Sequence, residues 1–160
     1  MSQSLFALSQ SNFGHSQSKF GHTLSDAQIT GMLEPMPGTQ VIVEYISDCS
    51  FSKLSKHYPP NSTVLLHNTC NSYIEILGEV RKLVVFENVG TIDLGKWDTH
   101  DKAFTEEVVI KSNNGNPGNN DVFNGIYINN KTKTIEIQHS NSRVYVAGSV
   151  TEHIDIKRND

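Results

Sequence analysis

The sequence is poor in cysteine, in tryptophan and in positive charge. It holds two cysteines and one tryptophan in 160 residues, and its 13 basic against 17 acidic side chains give a net charge of −4. A dedicated nucleic-acid binder clusters Lys and Arg to neutralise phosphates, whereas the basic residues here are scattered along the chain. We therefore expect no nucleic-acid partner.

Long apolar runs are also missing. No aliphatic or aromatic run is longer than four residues, and a membrane helix needs about 20, so we expect no membrane span. The first ten residues, MSQSLFALSQ, lack the basic start and the apolar core of a secretory signal. This favours a cytoplasmic location, where Cys49 and Cys70 would be reduced thiols rather than a disulfide.

Residues 2–22 consist of three tandem heptads, SQSLFAL, SQSNFGH and SQSKFGH. One phenylalanine in each heptad (Phe6, Phe13 and Phe20) is too little for a coiled-coil seam, and Ser and Gly weaken a helix. We predict a low-complexity tail over residues 1–23. Its tethered copies of a Ser-Phe-Gly-His motif either gain avidity for a partner or result from repeat expansion with no dedicated partner, and both readings stay open.

A short helix is predicted at the start of the folded part. Ser25 and Gln28 form a capping box in TLSDAQITGML, which places a helix over residues 26–33. Pro35 and Pro37 prevent its continuation. The region that follows, within a single domain over residues 24–160, begins at Thr39 and has a different periodicity.

From Thr39 onwards the hydrophobic period is two, and pairs of apolar residues separated by one position recur, mostly every eight to ten residues. Short strands with alternating burial and polar turns indicate an all-β domain. The pairs expected to point inward are Val41/Val43, Val64/Leu66, Ile74/Ile76, Val84/Phe86, Ile92/Leu94, Val108/Ile110, Ile126/Ile128, Ile135/Ile137, Val144/Val146 and Ile154/Ile156.

Two architectures share this pattern. An antiparallel sandwich or barrel would use hairpins, with Asn129–Asn130 as one tight turn. A β-solenoid would instead coil with about two strands per turn. The solenoid is favoured by a long internal repeat, because CNSYIEILGEVRKLVVFEN returns about 70 residues later as SNSRVYVAGSVTEHIDIKRN. In both copies a glycine makes a corner without a Cβ clash and a valine two positions on turns inward, at Gly78/Val80 and Gly148/Val150.

The segments HNTCNSYIEILGEVRKLVVFEN and SNSRVYVAGSVTEHIDIKRND resemble coils of the C-terminal β-helix of cyclase-associated proteins and tubulin cofactor C. The resemblance covers about half the chain and implies a right-handed parallel β-helix that dimerises and binds a cytoskeletal protein such as monomeric actin. The arginine finger of the cofactor C relatives does not carry over, because Arg81, Arg143 and Arg158 lack its Gln-rich, cysteine-containing turn. An expected loop insertion at residues 96–124 also departs from the family's even spacing.

The neighbours of inward residues must point outward. In the first copy of the repeat these include Leu65, Tyr73, Leu77, Leu83 and Val85, and so many exposed apolar side chains need a cover. The short helix with the Phe51/Leu54/Tyr58 segment would provide it from within the chain, which we favour, and a homodimer seam is the alternative. In the second copy the outward residues are expected to form an ordinary solvent-exposed surface with two aromatic side chains.

Acidic residues gather in DLGKWDTHDKAFTEE, which includes Asp93, Asp98, Asp101 and Glu106. Carboxylates and an imidazole can hold a divalent cation, but the spacing fits no known metal pattern, and we expect no metal and no cofactor. Trp97 lies beside this stretch and is suited to anchor a ligand or a partner.

The sequence thus predicts a non-enzymatic protein-interaction or scaffold module, with no catalytic residue. One rival is a carboxylate-dependent enzyme acting on a polymer such as a polysaccharide, with two of the four carboxylates named above as its catalytic pair. Another is a subunit that self-assembles end to end. The predicted partner-binding residues are Tyr73, Leu77, Leu83, Val85, Trp97, Tyr127, Arg143, Tyr145, Phe6, Phe13 and Phe20.

Overall fold

The structure, a computed structural model, describes residues 31, 33–46, 53–68, 72–99, 101–114 and 125–157. Within these ranges the chain forms eleven β-strands and a 3₁₀ turn at Trp97–Thr99. The strands are β1 (Gln40–Ile46), β2 (Lys53–His57), β3 (Ser62–Asn68), β4 (Tyr73–Leu77), β5 (Lys82–Asn88), β6 (Thr91–Leu94), β7 (Phe104–Ile110), β8 (Gly125–Ile128), β9 (Lys131–Ile137), β10 (Arg143–Val146) and β11 (Val150–Ile156).

The strands form two parallel sheets around a common core. The odd-numbered strands make sheet A, in the order β1-β3-β5-β7-β9-β11, and the even-numbered strands make sheet B, in the order β2-β4-β6-β8-β10. Consecutive strands alternate between the sheets, and each pairs in parallel with the strand two places further on. The chain therefore winds as a β-solenoid with two strands per coil. The predicted solenoid is confirmed, and the antiparallel sandwich or barrel is wrong.

The hairpin considered at Asn129–Asn130 does not form. These residues connect β8 in sheet B to β9 in sheet A, and neither has the positive φ that a tight two-residue hairpin turn requires. Instead, the side-chain amide of Asn130 donates to the carbonyl of Gly78 at 3.2 Å and to Thr105 Oγ1 at 3.1 Å. The two bonds fix the turn against other parts of the coil.

The inner core lies between the sheets and consists of aliphatic side chains stacked from coil to coil, as the alternation predicted for most pairs. Ile154 and Ile156 of β11 stay in register with Ile135 and Ile137 but are 44% and 70% exposed, because β11 is the last described strand of sheet A. The buried members of the inner core are Ile42, Ile46, Tyr58, Val64, Leu66, Ile74, Ile76, Val80, Leu83, Val85, Ile92, Leu94, Val108, Ile110, Ile126, Ile128, Ile135 and Ile137.

The phase of alternation was predicted wrongly in β1 and β5. In β1, Val41 and Val43 point outward while Ile42 and Ile46 point inward. In β5 the inward residues are Leu83 and Val85 rather than Val84 and Phe86. Leu83 and Val85, predicted to bind a partner, are therefore buried in the inner core and are not on an outer face. VIVEYI and LVVF place apolar residues at both parities, so their period carries no phase. A register shift between β3 and β5 then skips one residue.

The two copies of the internal repeat occupy equivalent strands but not neighbouring coils. The first contains β4 and β5 and the second contains β10 and β11, so β7 and β9 lie between β5 and β11 in sheet A. Val80 is buried in the inner core and Val150 packs against it, which confirms their inward orientation. Gly78 has a φ of +83°, and a Cβ at Gly148 would overlap the backbone of Asn130, so both corners depend on glycine for different reasons.

Buried polar side chains line the other corner, where sheet A strands turn toward sheet B. Asn68 Nδ2 donates to Asn88 Oδ1 at 2.9 Å, and Asn88 Nδ2 donates to Asn113 Oδ1 at 2.9 Å. Asn113 Nδ2 continues to Ser140 Oγ at 3.0 Å. This asparagine ladder satisfies polar groups that would otherwise be buried without partners. Its members follow the last inward residues of four successive sheet A strands.

The outer face of sheet A carries a second apolar cluster, and the chain itself covers it. Leu65 is fully buried there with Leu33, which confirms cover from within the chain at that position. Leu54 and Tyr58 instead pack in the inner core, so their predicted role as cover is wrong; Phe51 and most of the predicted helix lie outside the described residues. The cluster comprises Leu33, Val41, Val43, Tyr45, Leu65, Val84 and Val109, with Phe86 packed against it.

The predicted insertion at 96–124 is not one loop, because β7 lies inside it as a regular strand of sheet A. The rest of the predicted insertion lies on either side of β7 in the sequence, at residues 96–103 and 111–124. None of the helical residues that the structure describes belongs to a segment long and apolar enough to cross a bilayer. Cys49, Cys70 and residues 1–23 lie outside the described residues.

Candidate functional site

Two ladders of side chains run across the outer face of sheet B. In each strand the residue between the two inward positions points outward, and parallel pairing aligns these residues from coil to coil. The first ladder contains Ser55, Glu75, Asp93, Tyr127 and Tyr145. The second contains Lys53, Tyr73, Thr91, Gly125 and Arg143.

Side chains of the two ladders line a groove with a volume of about 420 Å³ that is open to solvent. Its floor is low because Thr91 and Gly125 put little or no side chain between Tyr73 on β4 and Arg143 on β10. Three inter-strand spacings separate these two residues, or about 14 Å. We call this site the aromatic groove; it is lined by Tyr73, Thr91, Asp93, Trp97, Tyr127, Asn129, Arg143 and Tyr145.

Three rings form an aromatic wall at one side of the groove. The Tyr145 ring centroid lies 6.2 Å from that of Trp97 and 6.1 Å from that of Tyr127, with interplanar angles of 59° and 41°. Tilted pairs at this distance are favourable without being stacked face to face. Trp97 remains 63% exposed and Tyr145 46% exposed, so much of the ring surface is open to a ligand.

Asp93 and Tyr73 form the polar centre of the groove. The Tyr73 hydroxyl donates a hydrogen bond to Asp93 Oδ2. Partial burial is the main reason that the pKa of Asp93 is raised above its ordinary value, with a further contribution from the Glu75 carboxylate. Burial and the same hydrogen bond also raise the pKa of Tyr73. Both shifts disfavour the ionised forms, and the Tyr73 phenol is therefore neutral at neutral pH.

Basic side chains balance the acidic ones across the groove. Lys53 Nζ lies 2.8 Å from Glu75 Oε2 and 5.3 Å from the Tyr73 ring centroid, over its face. The hydrogen bond to Glu75 is the main reason that the pKa of Lys53 is raised. At the opposite side Arg143 donates to the Tyr127 hydroxyl at 3.5 Å. Two cations therefore face two carboxylates, and the site has no strong net charge.

Asn129 lines the groove and carries a buried acceptor that the described residues leave unsatisfied. The side chain is 2% exposed, and its Nδ2 donates to the Gly95 carbonyl at 3.0 Å. Its Oδ1 has no hydrogen-bond partner among the described residues, and a buried unsatisfied acceptor costs free energy. Gly95 holds this corner at a φ of +83°, where a Cβ would overlap the Asn130 side chain.

Five of the predicted partner-binding residues come together in the aromatic groove: Tyr73, Trp97, Tyr127, Arg143 and Tyr145. Leu77 lies half-buried on the outer face of β4, outside the groove lining. Phe6, Phe13 and Phe20 lie outside the described residues. For these residues partner binding stays a prediction.

Sequence reasoning missed Thr91, Asn129 and the contribution of Glu75 to the site. The signal for Glu75 was present, because it lies between the inward pair Ile74/Ile76 as Tyr145 lies between Val144 and Val146. Asn129 follows a strand and joins the groove only through the turn at Gly95. That contact spans two coils and has no local pattern.

The other acidic residues are not gathered around Asp93. Asp101 accepts hydrogen bonds from the backbone N–H and hydroxyl of Ser149, at 2.7 and 2.9 Å. Glu106, in sheet A, forms an ion pair with Arg81 at 2.8 Å. No group of three or more potential metal-ligating side chains occurs in the part of the chain that the structure describes. Asp98 is exposed beside Trp97.

Comparison with family models, with curated proteins and with solved structures gives no match to this chain. The coil resemblance to cyclase-associated proteins and tubulin cofactor C therefore stays a prediction. What the chain does has to be inferred from the geometry of the aromatic groove.

Proposed function

We propose that this chain is a non-enzymatic interaction module and that it engages its partner through the aromatic groove. The observation that carries the proposal is the exposure of Trp97 and Tyr145 beside Arg143 at the outer face of sheet B. Tryptophan, tyrosine and arginine dominate the binding energy of interfaces. Tyr145 and Arg143 lie on a strand paired within sheet B, which positions them in advance and limits the conformational entropy lost on binding.

The arrangement of carboxylates supports binding more than catalysis. A hydrolase of polymers uses one carboxylic acid and one free carboxylate on either side of the bond that it cleaves. Asp93 has a raised pKa, as an acid would. Glu75, the carboxylate that faces Asp93 on β4, is buried and held by Lys53 at 2.8 Å. It would have to break this ion pair to act as a nucleophile or base.

The proposal is tested by capturing partners from a cell extract with the intact chain, with Trp97→Ala/Tyr145→Ala, and with a chain lacking residues 2–22. Phe104→Ala is the matched control, because Phe104 is 40% exposed and lies outside the groove. Purified monomeric actin belongs in the same assay, because the family resemblance names it. We expect the double substitution to abolish capture and the control to leave it unchanged. If deletion of residues 2–22 abolishes capture of every partner and the double substitution has no effect, the heptad repeats and not the aromatic groove bind the partner.

Self-association is a second candidate, and one observation favours it. Ile154 and Ile156 on β11 are exposed although they are in register with core residues of β9, and a strand edge of this kind can pair with another chain. Light scattering against concentration tests it. A mass that rises with concentration for the intact chain and stays monomeric for Ile156→Lys would establish end-to-end contact. A constant monomer mass for both would exclude it.

A further inference from the structure

We infer that the aromatic groove recognises an uncharged carbohydrate, as one or two sugar rings of a glycan chain. This inference rests on the proposed function and names the chemistry of the partner. It follows from three features of the groove: aromatic faces, mixed hydrogen-bonding groups and balanced charge.

The aromatic wall matches the apolar face of a sugar ring. The C–H groups on one side of a pyranose carry a small positive charge, and the face of an aromatic ring carries a negative one. Trp97 and Tyr145 expose 63% and 46% of their surfaces and lie at a tilt of 59° to each other. They therefore offer two ring faces in different orientations, which suits a ring held against one residue and its neighbour against the other.

The polar lining matches hydroxyl groups, which both donate and accept. Asp93 accepts and Arg143 donates. Separate hydroxyls of one sugar can therefore donate to Asp93 and accept from Arg143. An apolar ligand would leave these groups desolvated without a partner, which is costly.

The charge balance disfavours strongly charged ligands. Asp93 and Arg143 are the charged side chains that line the groove, and Lys53 beside it is paired with Glu75 at 2.8 Å, so a phosphate or a sulfated polymer would meet a carboxylate as well as a cation. An extended peptide would need free backbone groups for pairing. Strands β4, β6 and β8 each pair on both sides, so this face presents side chains only. A neutral polyol fits these conditions.

The dimensions agree with a short stretch of glycan. A volume of about 420 Å³ lies within the range of small-molecule sites, about 300–1,000 Å³. The groove runs across β4, β6, β8 and β10 and is open to solvent, so a longer chain could enter and leave along it.

Affinity electrophoresis of the full chain tests this inference, in native gels that contain one soluble polysaccharide each. The neutral probes are hydroxyethyl cellulose, laminarin, mannan and soluble starch, and the charged probes are polygalacturonate and heparin. We expect at least one neutral polysaccharide to retard the protein. Trp97→Ala, Tyr145→Ala and Arg143→Met should each weaken that retardation at least tenfold in Kd, and Phe104→Ala should leave it unchanged. Far-UV circular dichroism checks that every variant is folded.

Three results would overturn the inference: no retardation by any neutral probe, equal retardation of the intact chain and Trp97→Ala, or retardation by the charged probes alone. A further result would contradict the carbohydrate inference and leave the proposed function intact. If the groove substitutions abolish capture of a protein partner whose enzymatic deglycosylation changes nothing, the groove binds a protein surface and the carbohydrate inference is wrong. If deglycosylation also abolishes capture, the inference holds.

Discussion

The outer faces of the two sheets are built by the same alternation of side chains, but the apolar part of the sheet A face is buried and that of sheet B is open to solvent. On sheet A, apolar residues such as Leu65 and Val84 point outward and are fully buried beneath other parts of the chain. On sheet B, Tyr145 and the neighbouring Trp97 remain exposed and form the wall of a groove. An apolar outward residue is therefore not by itself a binding residue. The outward apolar side chains of sheet A, including the Tyr45 ring, are covered within the chain, while the Trp97 and Tyr145 rings at sheet B stay open to solvent.

The largest expected effect is a difference in the free energy of unfolding between substitutions on the two outer faces. Leu65→Ala removes a fully buried side chain and should lower the free energy of unfolding by about 2–5 kcal/mol. Tyr145→Ala, at 46% exposure, should cost less than about 1 kcal/mol. Urea unfolding of both variants provides the comparison. Similar losses for the two would mean that the faces do not differ in burial.

A glycine pair tests the corner that joins the faces. Gly95 and Gly78 share a φ of +83°, but a Cβ would overlap the Asn130 side chain only at the first. Gly78→Ala should cost about 1–2 kcal/mol for the left-handed backbone, and Gly95→Ala about 1–3 kcal/mol more for overpacking. Thermal or urea unfolding measures the difference. Equal losses would show that Asn130 moves aside without cost.

The asparagine ladder at the opposite corner should contribute less. Asn88→Ala leaves Asn68 Nδ2 and Asn113 Oδ1 without the bonds that Asn88 makes with them, and a buried unpaired group costs about 1–3 kcal/mol. Asn114→Ala, at an exposed position, is the control and should change stability by less than about 0.5 kcal/mol. The ladder would have no structural role if the two variants unfolded at the same urea concentration.

The smallest effect is a pH dependence within the groove. Burial raises the pKa of Asp93 above 3.8, so the folded state holds this proton more tightly than the unfolded chain. The contribution of Asp93 to stability therefore falls as the pH rises from about 4 through the folded pKa. Asp93→Asn removes that loss and should be more stable than the intact chain at pH 7, by less than about 1 kcal/mol. The gain should shrink toward pH 4.

Urea unfolding at pH 7 and pH 4 checks this, with Asp98→Asn as a control that removes a charge from an exposed neighbour. A variant at position 93 that is less stable than the intact chain at pH 7 would contradict the sign. It would mean that the hydrogen bond from Tyr73 outweighs the cost of burial.

The solenoid could be predicted because apolar pairs such as Ile74/Ile76 and Ile126/Ile128 recur at the spacing of single strands and a long repeat matches them. The phase of β5 could not be predicted, because Leu83 to Phe86 are apolar at both parities. The pairing of Leu83 and Val85 with the inward residues Val64 and Leu66 of β3 decides between them. Packing of the neighbouring coil settles it, and this is not a local property of the sequence.

The groove was predictable residue by residue but not as a site. Exposure and ring type singled out Tyr73, Trp97, Tyr127 and Tyr145. Their assembly depends on which residues align between coils, and the connection from Asp93 to its partner Tyr127 is nearly twice as long as that from Tyr127 to Tyr145. Connection length alone does not set the register, so the aligned ladder could not be read from the sequence.

The most direct test of the open groove uses its own reporter. Trp97 is the only tryptophan in the chain, so tryptophan emission, excited selectively over tyrosine, reports this site alone. Titration with the glycan or the partner that the chain retains should shift the emission to shorter wavelength as the ring leaves water, with a midpoint equal to the Kd from an independent binding measurement. Saturable binding that leaves the Trp97 emission unchanged would place the interaction elsewhere on the molecule and contradict the account.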